Sequence, residues 1–160
     1  MSEQATDARE QEILRQAKAR FARVLRCDLK PQEIAGELRK RVLGQDGACE
    51  ALSVRLRQHL LQVRQSFVRR EVERKPWRPD DLGGVLVLGP TGCGKTHLMR
   101  TVEEMSSLAF HTEDATALSE TAYVGRDLSD TARAIVQNAY LYAPLAQTAL
   151  LFLDEVDKLR

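Results

Sequence analysis

From Asp7 to Arg26, Ile13, Leu14, Ala17, Phe21, Val24 and Leu25 recur at helical spacing with charges between them. That period predicts an amphipathic helix. Cys27–Pro31 interrupts it, and two further helical stretches follow on either side of "VLGQD" at Val42–Asp46, where Gly44 suits a helix C-terminus and Asp46 an N-cap. The stretch "ERKPWRPDDLGG", Glu73 to Gly84, reads as a loop. From Val85 the pattern changes. "VLVL" at Val85–Leu88 has the form of a short buried parallel strand, and a helix over Gly94–Ser106 follows it. A second strand is expected at Leu108–Thr112, then a loop. A helix capped by Asp127 comes next, with Leu128, Ala132, Ile135, Val136 and Ala139 on one face and Pro144 at its end. The last strand is Ala149–Leu153. Strands alternating with helices predict an α/β unit with a parallel sheet, and three strands leave that sheet incomplete, with an apolar edge.

Composition does little to change this picture. The 160 residues are 43% hydrophobic and 29% charged, an ordinary balance for a globular chain. Charge is uneven: residues 1–80 hold 18 Lys and Arg against 12 Asp and Glu, and residues 81–160 hold 6 against 11. A basic first half suits nucleic acid or an acidic partner, but its charges alternate in sign along helices, which favours a solvated face. Cys27, Cys49 and Cys93 form no CxxC pair, which argues against a disulfide framework and a structural zinc site. No signal-peptide core and no run near the roughly 20 apolar residues of a membrane span is visible, so a cytoplasmic location and no membrane partner are expected.

The chemistry concentrates in "GPTGCGKT", Gly89 to Thr96. It fits G-x-x-x-x-G-K-[ST] between an expected strand and an expected helix. Glycines let backbone N–H groups turn inward around phosphate oxygens, and a helix N-terminus adds positive potential. Lys95 would reach the β- and γ-phosphates and the Thr96 hydroxyl would ligand Mg²⁺. ATP with Mg²⁺ is therefore the expected ligand, with Gly89, Pro90, Thr91, Gly92, Cys93, Gly94, Lys95, Thr96 and His97 as the candidate contacts. Cys93 stands where small residues usually serve; a redox-sensitive thiol is one reading and plain space-filling the preferred one.

Near the end, "LLFLDEVDKLR" carries two adjacent acids on an apolar strand. Alone this is a weak signal, since acids often cap whatever follows a strand. Paired with the glycine-rich loop, it makes Asp154 a Mg²⁺ ligand and Glu155 the group that polarises an attacking water. Asp157 and Lys158 receive no such role and read as a solvated helical turn.

Together, "GPTGCGKTHLMRTV", "DATALSETAYVGRD" and "LFLDEVDKL" resemble, in order and approximate spacing, the ClpX group of AAA+ protein unfoldases. "ELRKRVLGQDGACEAL" is similar to the helix and nucleotide box that precede that family's core. The resemblance covers about Pro31 to Arg160. It implies a P-loop NTPase (AAA+) parallel sheet with flanking helices, preceded by an N-terminal helical segment. The divisions expected are an N-terminal amphipathic helix over 1–30, a helical segment with nucleotide box and linker over 31–80, and the front part of an ATPase core over 81–160. It further implies that Val42 and Leu43 pack around adenine, that Lys95 and Glu155 are catalytic, and that Tyr123 and Val124 form a pore loop gripping a polypeptide substrate. Read without the family, Tyr123 is equally a loop aromatic tucked into the core. A ring of like subunits and a Clp-type protease partner belong to the same implication.

Three departures stand out. Ala122 replaces a glycine of the family's "GYVG", which stiffens the loop. Arg126 stands where the family commonly has an acid, and no pair of CxxC motifs precedes the core. The family's sensor residues, arginine finger and small helical domain would follow Arg160, so the expectation is the front part of a longer unfoldase. Two rivals remain: a nucleotide-binding module without turnover, and a nucleic-acid-remodelling AAA+ ATPase, against which "AYVG" speaks.

Overall fold

Six α-helices and two strands account for the regular structure of the computed structural model, which describes residues 2–74, 83–116 and 128–158. The helices are α1 Ser2–Arg26, α2 Pro31–Arg39, α3 Asp46–Glu73, α4 Lys95–Met105, α5 Leu128–Asn138 and α6 Ala143–Ala146. The strands are β1 Phe110–Asp114 and β2 Leu150–Asp154, followed by a short 3-10 turn at Val156–Lys158. The chain divides into two compact units, Val24–Ser106 and Met1–Arg23 with Ser107–Arg160.

Within Val24–Ser106, α2 starts at Pro31, whose missing N–H costs nothing in a first turn. Its entry is closed by Glu33, whose carboxylate accepts from the Lys30 N–H at 2.6 Å. α2 buries Ile34, Ala35 and Leu38 as it packs along α3. The facing side of α3 buries Cys49, Ser53, Leu56, Leu60 and Val63, a run spaced alternately by four and three residues. Arg39 bridges the two helices by ion pairs to Asp46, at 2.9 Å, and to Glu50. Gly44, expected at a helix C-terminus, does not end α2, whose C-cap is Lys40 in the right-handed region; the Gly44 φ of +72° turns the chain in the loop before α3. Asp46 is not the cap: Gln45 holds that position without a side-chain bond, and Asp46 sits in the first turn, where its charge favours the helix dipole.

The other unit is built on β1 and β2, paired in parallel with Phe110 opposite Leu150 and Asp114 opposite Asp154. α5 packs on β1, and Asn138 Nδ2 donates to the Phe110 carbonyl at 2.8 Å. The helical crossover between parallel strands matches the alternation in the sequence. α1 contributes Ala17 and Phe21 to the buried set, with Phe21 edge-on to Tyr142 at 5.9 Å. Arg20 gathers three carbonyls: Nε donates to Ser107 at 2.8 Å, Nη2 to Leu108 and Nη1 to Asn138 at 3.4 Å. Its guanidinium also lies 5.9 Å from the centre of the Tyr140 ring.

Several expectations need correction. Val85–Leu88 is not a strand; it runs without ladder pairing, with Leu88 81% exposed. A strand exists only through its neighbours, and the sheet among the described residues is the β1–β2 pair. β1 begins two residues later than the apolar pattern suggests. α1 is buried only from Ala17 onward, leaving Ile13 and Leu14 exposed. Thr131 is buried on α5, its hydroxyl donating to the Glu113 carboxylate on β1, while Ala132 and Val136 are exposed; of the expected face, Ile135 is half-buried and Ala139, just past the helix, is buried. Pro144 lies in the first turn of α6, while α5 ends at Asn138, six positions earlier, and the chain turns through the positive-φ residues Tyr140 and Leu141. Asp127 and residues 122–126 lie outside the described residues. So do the side chain of Leu128 and the expectations resting on Tyr123 and Val124.

Candidate functional site

The glycine-rich loop Gly89–Gly94 reaches α4 through two residues at positive φ, Gly92 at +81° and Gly94 at +93°. A side chain in either conformation would be strained, which accounts for the glycine the pattern fixes at Gly94 and for a second one at Gly92. Gly94 is the N-cap of α4, so no side chain caps the helix, and its first turn holds no acidic residue. At such an end the helix dipole favours an anion. Lys95, first residue of α4, folds its ammonium back over the loop, with Nζ donating to the Gly89 carbonyl at 2.8 Å and the Pro90 carbonyl at 3.0 Å. These features fit a polyphosphate: a glycine turn, a positive helix end and a lysine beside the loop.

Cys93 earns its place sterically. Its Sγ lies where a Cβ on Gly89 would come within 2.7 Å, so the thiol fills the space that glycine leaves. The Cys93 N–H closes the loop onto the Pro90 carbonyl at 3.3 Å.

The turn after α2 is pinned to this loop by contacts absent from the sequence expectations. Gln45 Nε2 donates to the Cys93 carbonyl at 2.9 Å. His97 Nε2 lies 3.1 Å from the Arg41 carbonyl, and Arg41 pairs with Glu104 at 2.8 Å. His97, expected among the nucleotide contacts, is thereby engaged in holding the turn. Val42 is buried, whereas Leu43 beside it is 86% exposed. The only sequence signal for Gln45 was its place between Gly44 and the next helix.

At the C-terminal end of the β1–β2 pair, Asp114 and Asp154 stand side by side in register. The Thr116 hydroxyl and N–H, at 2.6 and 2.8 Å, hold the Asp114 carboxyl below its ordinary range. The Asp154 carboxylate accepts from the Glu155 N–H at 3.0 Å. Glu155 adopts φ +57°, uncommon for a side chain of its kind, and its carboxylate pairs with Lys158 Nζ at 2.7 Å. That bond, with the charges of Glu155, Asp114 and Asp157, raises the Lys158 pKa. Lys158 is exposed on its short helical turn, as read from the sequence, and from there it also pairs with Glu155. Asp114 was read as part of a loop because the apolar run ends before it. Upstream on β1, the buried Glu113 lies 3.0 Å from His111 Nε2, and the Thr131 hydroxyl donates to it at 3.4 Å.

A glycine-rich loop of this form, leading into a helix, is the phosphate loop of a P-loop fold. Residues 85–160 match the family described as "ATPase family associated with various cellular activities (AAA)". More particularly, the chain is 34% identical over 129 residues to the ATP-dependent Clp protease ATP-binding subunit ClpX of Treponema denticola. That match takes in 81% of this chain and 30% of the relative, so the chain spans about a third of the relative's length. It is a ClpX-like AAA+ ATPase segment, of a family that binds nucleotide. Among the described residues, no helix is long and apolar enough to cross a membrane.

Proposed function

We propose that this chain supplies the ATP-binding and ATP-hydrolysing segment of a ClpX-like AAA+ protein unfoldase. The observation that carries the reading is the glycine-rich loop. Its two positive-φ glycines open onto an uncapped helix N-terminus with Lys95 at its mouth, in a chain similar to ClpX. In this reading the loop N–H groups and Lys95 bind the phosphates, and Lys95 neutralises charge as the γ-phosphoryl group leaves. Thr96 and Asp154 would hold Mg²⁺, whose charge further offsets that of the phosphate oxygens. Glu155 orients the attacking water and takes its proton. Val42 and the exposed Leu43 offer an apolar surface to adenine. Tyr123 and Val124 grip the polypeptide that a ring of like subunits threads toward a Clp-type protease.

Glu155→Gln tests the assignment, in this chain and in a protein of the relative's full length that carries this segment. Turnover is expected to fall about a hundredfold or more with nucleotide binding retained. Turnover near wild type would remove Glu155 from the role of base. A second reading, a nucleotide-binding module without turnover, is favoured by the 2.7 Å pair that occupies Glu155 with Lys158. ATP hydrolysis by the 160-residue chain itself would exclude it.

A further inference from the structure

α3 carries a second seam that nothing in the ATP-site reading uses. Opposite the run buried against α2, Val54, Gln58, Leu61, Gln65, Val68 and Val72 alternate by four and three residues, and all six are exposed. The four apolar ones are between 44% and 75% exposed. This is the spacing that keeps one stripe of a helix facing a partner helix over several turns. With Val54, Leu61 and Val68 as the d positions, the a positions are Gln58, Gln65 and Val72. The flanking e and g positions are then Arg55, Arg57, Gln62, Arg64, Arg69 and Glu71, four of them basic.

Charge at e and g decides which helix pairs with which. Arg57 is already engaged, donating to the Cys27 carbonyl and to Asp28, each at 3.0 Å. Arg64 and Arg69 are exposed on opposite flanks of the seam. A second copy paired in parallel would set Arg64 against Arg69, like against like, so the seam selects against that pairing. We infer that the outer face of α3 is a docking surface for a helix of another protein, amphipathic, with an apolar seam bordered by Glu or Asp. Glutamine at two of three a positions keeps the pairing reversible and fixes its register, since a buried polar residue at a costs stability and tolerates few alignments. The inference stands whether or not the chain hydrolyses ATP.

The test uses the whole chain and two labelled peptides of about three heptads, both with Leu at a and d, one with Glu at every e and g and the other with Lys. Fluorescence anisotropy at low salt is expected to show the Glu peptide binding at least about tenfold tighter, with the preference fading as salt is raised. Leu61→Gln should weaken the Glu peptide about tenfold. The double variant Arg64→Glu/Arg69→Glu should reverse the order of the two peptides. Far-UV circular dichroism confirms that these solvent-facing variants keep their helix content. Three results would overturn the proposal in favour of other occupants or none. Equal affinity for both peptides, or no effect of Leu61→Gln, leaves the seam without a role. Concentration-dependent dimers that Leu61→Gln abolishes in sedimentation assign it to a second copy. Binding of a DNA duplex that survives Leu61→Gln but not the charge reversal assigns the arginines to nucleic acid.

Discussion

Gly89 and Cys93 show how one pair of residues shapes the glycine-rich loop. A methyl group on Gly89 would sit 2.7 Å from the Cys93 sulfur, closer than any real contact. Gly89→Ala is expected to weaken nucleotide binding about tenfold in an equilibrium titration, by pushing the sulfur and the loop backbone outward. Cys93→Ala in the same chain removes the sulfur and should restore most of the loss. If the double variant binds no better than Gly89→Ala alone, the sulfur is not the obstacle. The same contact explains a cysteine in the loop without redox chemistry. Gln45 makes the complementary point: a neutral amide holds the turn after α2 to the Cys93 carbonyl, and no charge or periodicity marks it in the sequence.

Arg20 and Glu12 sit on one helix and act at the level of elements. Arg20 ties α1 to the start of β1 and to the C-terminal carbonyl of α5, meeting carbonyls that helix and strand ends leave open. Arg20→Ala is expected to lower stability by about 2 kcal/mol in urea unfolding, and Arg20→Lys to recover little, because one ammonium cannot span three carbonyls. A loss below about 0.5 kcal/mol would show that α1 is held by Phe21 and Ala17 alone. Glu12 is a milder case. Its bond from Arg15, aided by Gln16, lowers its pKa from 4.5 to about 2. A depressed carboxylate stabilises the folded form above its unfolded pKa, and that contribution fades as pH falls from 4.5 toward 2. An NMR titration should find the Glu12 carboxyl still ionised at pH 3, and Arg15→Ala should return its midpoint to the ordinary carboxylate range. An unchanged midpoint would contradict the assignment.

For the molecule as a whole, the matches establish a ClpX-like AAA+ segment, and its work on polypeptide is the proposal. ATP turnover by a ring-forming protein of the relative's length that carries this segment is expected to rise severalfold with an unfolded protein and to be indifferent to single- or double-stranded DNA. Stimulation by DNA alone would move the chain among nucleic-acid remodellers, the class that its basic first half suggests on charge. The uneven charge takes a more local meaning in the structure. On α3 five arginines stand against four acids, and the arginines border a solvent-facing seam.

By itself, the sequence determined the features that depend on local geometry. Glycines at Gly92 and Gly94 prescribe a turn that only glycine adopts without strain, the 3.6-residue period prescribes α1 to α5, and two acids after an apolar run prescribe a strand end. Tertiary structure decided what each surface meets. The apolar run Val85–Leu88 reads as a strand, yet pairing depends on a neighbour the pattern cannot name, and it runs unpaired. The buried face of α5 includes Thr131, whose hydroxyl meets the Glu113 carboxylate, and the solvated Lys158 gains Glu155 as a partner. α3 is the clearest instance. Its apolar residues fall on two faces, and only the packing of α2 settles which is core and which is left for another helix.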